Sequence, residues 1–114
     1  MRDVFTNFAT SRFLDRDAVV DLLTECAARL RKELPAVKAV YLFGSFASGT
    51  PTPRSDADVA LEISDGNRDE LRLAAQHAFS SVPLPVDLFI LTSDQLKNTS
   101  GIAGEIARTA RRLA

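Results

Sequence analysis

The chain has 114 residues, 46% apolar and 25% charged, which suits one packed domain over 1–114 and argues against disorder. Fourteen Lys and Arg against fifteen Asp and Glu leave a net charge of −1, so no strong global field draws it to nucleic acid or to an acidic membrane. One cysteine, Cys26, and one histidine, His77, exclude an intrachain disulfide, a cysteine-built zinc site and a two-His zinc motif.

The first fourteen residues hold three of the seven phenylalanines, Phe5, Phe8 and Phe13. A solvated tail would not carry that much aromatic surface, so the rings are expected to fold back onto the core. An interface role, self-association included, is the alternative. Met1 to Asn7 show no apolar h-region, so no signal peptide is expected there, and no apolar run approaches the roughly 20 residues of a membrane span. A cytoplasmic domain with no membrane partner is the expectation. Helix signals begin at Asp15, with Val19, Leu22, Leu23, Cys26, Leu30 and Leu34 at three- and four-residue steps. Acidic residues open this segment and basic ones close it, as the helix dipole favours, and Pro35 stops it. Cys26 and Tyr41 are read as packing residues and His77 as a surface residue.

Val37 to Phe43 reads as a strand, residues 44–55 as a breaker-rich turn, and Asp58 to Ile63 as a second strand. Asp65-Gly66-Asn67 punctuates it. A helix follows to about Ser80, with Leu71, Ala74, Ala75, Ala78 and Phe79 inside. Pro83 and Pro85 bracket a linker before a third, almost wholly apolar strand, Val86 to Leu91. Ser93 or Asp94 opens a helical turn, and Ser100 a last helix through Ile102, Ile106, Ala110 and Leu113. The order α-β-β-α-β-α predicts an α/β (α+β) fold, a small mixed sheet backed by helices.

Four features converge on one site. Gly44-Ser45 directly follows a strand, where glycine lets backbone approach a ligand and the next amides and hydroxyl can donate to phosphate. Asp56 and Asp58 stand at i, i+2 around a strand start, on one face, with Cα atoms roughly 7 Å apart. Like charges so close call for a cation, and oxygen-only ligands select Mg²⁺ or Mn²⁺. The other face of that strand, Ala57, Val59, Leu61 and Ile63, is core. Glu62 shares the Asp face but lies about 13 Å from Asp58, beyond a common ligand cluster. Asp87 interrupts an apolar strand, and a carboxylate there is costly unless paired or metal-bound. If the two strands are neighbours, three carboxylates could hold two metals for in-line phosphoryl or nucleotidyl transfer. Gly44 to Gly49 also fits the opening of a P-loop, but Thr50-Pro51 follows where lysine is required.

Gly44-Ser45, ten residues, then Asp56-Ala57-Asp58 resembles the signature of the DNA polymerase beta-like nucleotidyltransferases. Tyr41-Leu42-Phe43 leads in, Val59-Ala60-Leu61 leads out, and Val86-Asp87-Leu88 resembles the family's third-aspartate strand. The short chain resembles the minimal nucleotidyltransferases (MNT), usually encoded beside a HEPN-domain toxin. The resemblance implies that Gly44 and Ser45 hold the triphosphate, that Asp56, Asp58 and Asp87 bind Mg²⁺ (or Mn²⁺), and that Asp87 helps activate the attacking hydroxyl. It also implies ATP as substrate and AMP transfer to a tyrosine of the HEPN toxin, with the chain acting as antitoxin. Many members carry arginine where this chain has Ser48. Arg54 could supply a replacement charge near the nucleotide. A site too weak for catalysis, in an antitoxin that neutralises its partner by contact alone, is the alternative. The arginines 108, 111 and 112 read as complementing and solvating the last helix turn, with contact to RNA or an acidic partner as the alternative.

Overall fold

The computed structural model describes residues 16–44, 56–64, 66–97 and 101–114, together with the backbone of 5–8 and 11–14. The chain order is β1 (Phe5–Phe8), β2 (Ser11–Leu14), α1 (Arg16–Glu33), β3 (Val37–Phe43), β4 (Ala57–Ile63), α2 (Arg68–Ala78), β5 (Val86–Thr92), α3 (Ser93–Leu96), α4 (Gly101–Thr109) and β6 (Arg111–Arg112). Strands β1 and β2 form an antiparallel hairpin of their own. No strand is expected there from the sequence pattern, and the packing expected of Phe5, Phe8 and Phe13 concerns side chains outside the described residues.

The other four strands make one mixed sheet in the order β5-β4-β3-β6. Strand β3 is antiparallel to β4 and β6, and β4 is parallel to β5. Parallel neighbours need a long crossover, which α2 supplies. The expected mixed sheet backed by helices is what forms.

Helix α1 buries Val19, Leu23, Cys26, Ala27 and Leu30 along one stripe, and the chain leaves it just before Pro35. Cys26 is wholly buried, as expected of a small core residue. Helix α2 begins at Asn67, whose side chain accepts from the Asp69 and Glu70 amides at 2.9 and 3.3 Å. Its inner residues Leu71 and Ala75, with Phe79 beyond its end, join α1 over one sheet face. That face presents Val40, Leu42, Val59, Leu61, Leu88 and Ile90, and this is the main core.

The opposite face carries a smaller cluster built on Phe43, Ala60 and Ile106, with Tyr41, Phe89 and Leu91 packed against it. Phe43 and Phe89 meet edge to face at 5.3 Å between centroids. Helices α3 and α4 cover this side.

The last helix corrects the sequence reading. It ends at Thr109 rather than running on to Leu113. The Leu113 amide donates to the Val40 carbonyl at 2.8 Å, and the Val40 amide to the Ala114 carbonyl at 3.1 Å. Leu113 is buried in the main core, on the other side of the sheet from Ile106. Its helical spacing from Ile106 is therefore coincidental, because the open edge of β3 supplies a better partner for the segment's backbone. Arg111 and Arg112 accordingly lie on a strand opposite Leu42 and Tyr41, and only Arg108 sits in a helix turn.

Candidate active site

Strand β4 alternates strictly. Ala57, Val59, Leu61 and Ile63 enter the main core, and Asp58, Ala60 and Glu62 take the opposite face. The parallel register sets Asp58 directly beside Asp87. Asp87 is exposed, because β5 is the sheet's edge strand, and Asp58 is half-buried. Asp56 stands exposed, one residue ahead of β4.

Burial pushes the Asp58 carboxyl above its ordinary value, and the charges of Asp87, Glu105 and Asp56 push it further in the same direction. Four carboxylates thus share one field. Among the described residues no three acidic, His or Cys side chains are already gathered into a metal-holding group. The donor set nonetheless fits a hard divalent cation. It is all oxygen, and the like charge pressing on Asp58 is what such an ion would relieve.

Gly44 follows the Phe43–Asp58 pair at the end of β3. It has φ +77°, and a Cβ built there would collide with the Asp58 carboxylate. Left-handed backbone and close approach both demand glycine. The Gly44 amide donates to Thr109 Oγ1 at 3.5 Å, and the Thr109 hydroxyl donates to the Glu105 carbonyl at 2.8 Å. The end of α4 therefore abuts the strand-ending glycine. Neither Glu105 nor Thr109 was a sequence candidate, and nothing in their local pattern marks them. They reach the site only because α4 packs across this face.

Of the sequence-predicted site residues, Asp58, Asp87 and Gly44 come together, with Asp56 at the strand entrance. Ser45, Ser48 and Arg54 lie outside the described residues. Glu62 takes no part in this cluster. Its two oxygens accept from the hydroxyls of Tyr41 and Ser93.

A mixed sheet that sets paired carboxylates beside a strand-ending glycine, with helices on both faces, is the nucleotidyltransferase fold. The chain belongs to the Polymerase beta nucleotidyltransferase family, whose model matches residues 24–113.

Solved structures agree. A toxin–antitoxin complex with AMP-PNP contains a chain 26% identical to this one, with a TM-score of 0.61, the match covering 80% of this chain and 72% of that one. A candidate nucleotidyltransferase from Sulfolobus solfataricus is 20% identical, with a TM-score of 0.59 over 85% and 80% of the two chains. The complex of a tri-AMPylated Shewanella oneidensis HEPN toxin with its MNT antitoxin gives 22% identity and a TM-score of 0.56 over 87% and 71%. Among curated proteins none matches significantly.

Proposed function

We propose that this chain transfers AMP from ATP to a hydroxyl, that of a tyrosine on a HEPN-domain ribonuclease toxin, and thereby acts as the antitoxin. The observation that carries the chemistry is the Asp58–Asp87 pair beside Gly44, in a chain of this family. The partner assignment is supported by structural relatives in toxin–antitoxin complexes, one with an AMPylated HEPN toxin.

In this reading Gly44 lets the backbone approach the phosphates, and Ser45 and Arg54 add a hydroxyl and a positive charge there. Asp56, Asp58 and Asp87 would hold Mg²⁺ or Mn²⁺. Such an ion supplies charge neutralisation to the phosphates in transfers of this class. The acceptor oxygen bonds to the α-phosphorus, the bond to the β-phosphate oxygen breaks, and pyrophosphate leaves. Asp87, exposed at the sheet edge, would take the hydroxyl proton.

A second reading, neutralisation by contact alone, draws on Ser48 standing where many members carry arginine. One experiment separates the two. The chain is incubated with Mg²⁺, α-labelled ATP and lysate containing the HEPN partner, beside the Asp56→Asn/Asp58→Asn variant. Transfer predicts a labelled partner band from α-label, none from γ-label, and none with the variant. No label from any of the four nucleoside triphosphates, with the partner present, would favour contact alone.

A further inference from the structure

The sheet face that carries Asp58 holds a second feature, four residues further along β4 and about 13 Å away. A cavity of about 490 Å³ opens there, between β3, β4, α3 and α4. That volume lies within the range of small-molecule sites.

Its polar centre is Glu62. Tyr41 donates to Oε1 at 3.1 Å and Ser93 donates to Oε2 at 2.6 Å. Both donors are neutral, and among the described residues no cation lies within ion-pair distance of Glu62. A carboxylate oxygen accommodates about two donors, so each oxygen keeps acceptor capacity. The carboxylate is fixed from two sides and half-buried, and among the described residues no Lys or Arg pairs with it, which leaves its free lone pairs facing the cavity.

The rest of the lining sorts by chemistry. Leu96, Ile106 and Ala107 form an apolar wall. Arg112 and Lys97 also border the cavity but are turned to other acceptors, Arg112 Nε to the Ala114 carbonyl and Lys97 to Asp94. The guanidinium keeps further N–H groups for an anion.

We propose that this cavity binds a small amphoteric molecule, independently of the nucleotidyl-transfer site. Its amino group donates to Glu62, its apolar body lies along α4, and its anionic end meets Arg112. Free α-amino acids and amino-bearing purine monophosphates share that chemistry.

Tyr41 is the only tyrosine of the chain, so tyrosine-selective labelling yields one NMR ring signal, located in the cavity. Leucine and AMP serve as probes of the two sources. Their counterparts without the amino group, 4-methylpentanoate and purine riboside 5′-monophosphate, serve as controls. One amino-bearing probe is expected to shift the Tyr41 signal saturably below about 1 mM, and which one does so identifies the source. The counterpart should bind at least tenfold more weakly, since a charge-assisted bond is lost. Glu62→Gln, which can still accept from Tyr41, should weaken binding by a similar factor. Ala107→Phe, at an exposed α4 position, should block it without touching Glu62. Asp58→Asn should leave it unchanged. The proposal is overturned if neither probe saturates up to about 10 mM, if the counterpart binds equally, or if Ala107→Phe is neutral. Loss of the shift in Asp58→Asn would also overturn it, by placing the probe in the other site.

Discussion

Gly44 and Asp58 constrain each other. The glycine holds a positive φ, and its missing Cβ is the space the Asp58 carboxylate occupies. Gly44→Ala therefore adds backbone strain of about 1–3 kcal/mol and displaces the carboxylate. Expected outcomes are a melting temperature lower by several degrees, at roughly 4–8 °C per kcal/mol for a domain this size, and label transfer reduced at least tenfold. A variant that melts and labels like the wild type would contradict the close approach. Asp58 makes a different prediction. Its carboxyl is raised, so the folded chain holds its proton to higher pH than the unfolded chain does. Stability then falls as pH rises from the ordinary Asp value through the raised one, and the deficit persists above it. Asp58→Asn removes that deficit. Without added divalent ion it should melt above the wild type at pH 7, and the two should converge near pH 3, below the ordinary carboxylate range. Calorimetry at both pH values checks the sign. At this scale the glycine and the aspartates were legible, because strand alternation and turn chemistry are local rules. Glu105 and Thr109 were not, because only the packing of α4 against β3 brings them in.

Elements show the same division. Helix α1 and strand β3 end where Pro35 and Gly44 say they should. Strand β5 and helix α2 follow their apolar patterns to within two residues of the expected limits. Helix α2 also depends on one cap. Asn67→Ala leaves the Asp69 and Glu70 amides without their side-chain acceptor, and about 1 kcal/mol of stability should be lost, readable as a shift in the urea midpoint. The C-terminal segment is where periodicity misled. Ile106 and Leu113 fit one helical stripe, yet they serve opposite faces of the sheet. The helix stops between them because the edge of β3 offers backbone partners. Leu113→Ala should then cost about 2–5 kcal/mol, the figure for a core leucine. A solvent-facing helix end would lose almost nothing, so chemical denaturation separates the two descriptions. The β1–β2 hairpin has no comparable signal in its short, polar-interrupted sequence.

Over the whole molecule the sheet divides the labour. One face packs α1 and α2 into the main core, and the other holds a thin apolar layer with carboxylates at one end and the Glu62 cavity at the other. Strand β4 is buried along most of its length and hydrogen-bonded on both sides, whereas β6 is a two-residue edge. Hydrogen exchange should therefore find the β4 amides opening only with global unfolding and those of β6 exchanging earlier. Equal protection of the two would argue against this layering. The parallel pairing of β4 with β5 has a temporal consequence. A hairpin could bring β3 and β4 together from a few local contacts, and with them Gly44 and Asp58. Asp87 joins that row only after the crossover through α2 has docked, and non-local pairings of this kind form slowly. A refolding chain should thus complete its core and its carboxylate row together, because Leu88 and Ile90 dock with the same strand that carries Asp87, and nucleotide binding should emerge in the slowest kinetic phase. A molecule caught before that docking would hold the β3–β4 pair with Gly44 and Asp58 but neither the full carboxylate row nor the finished core.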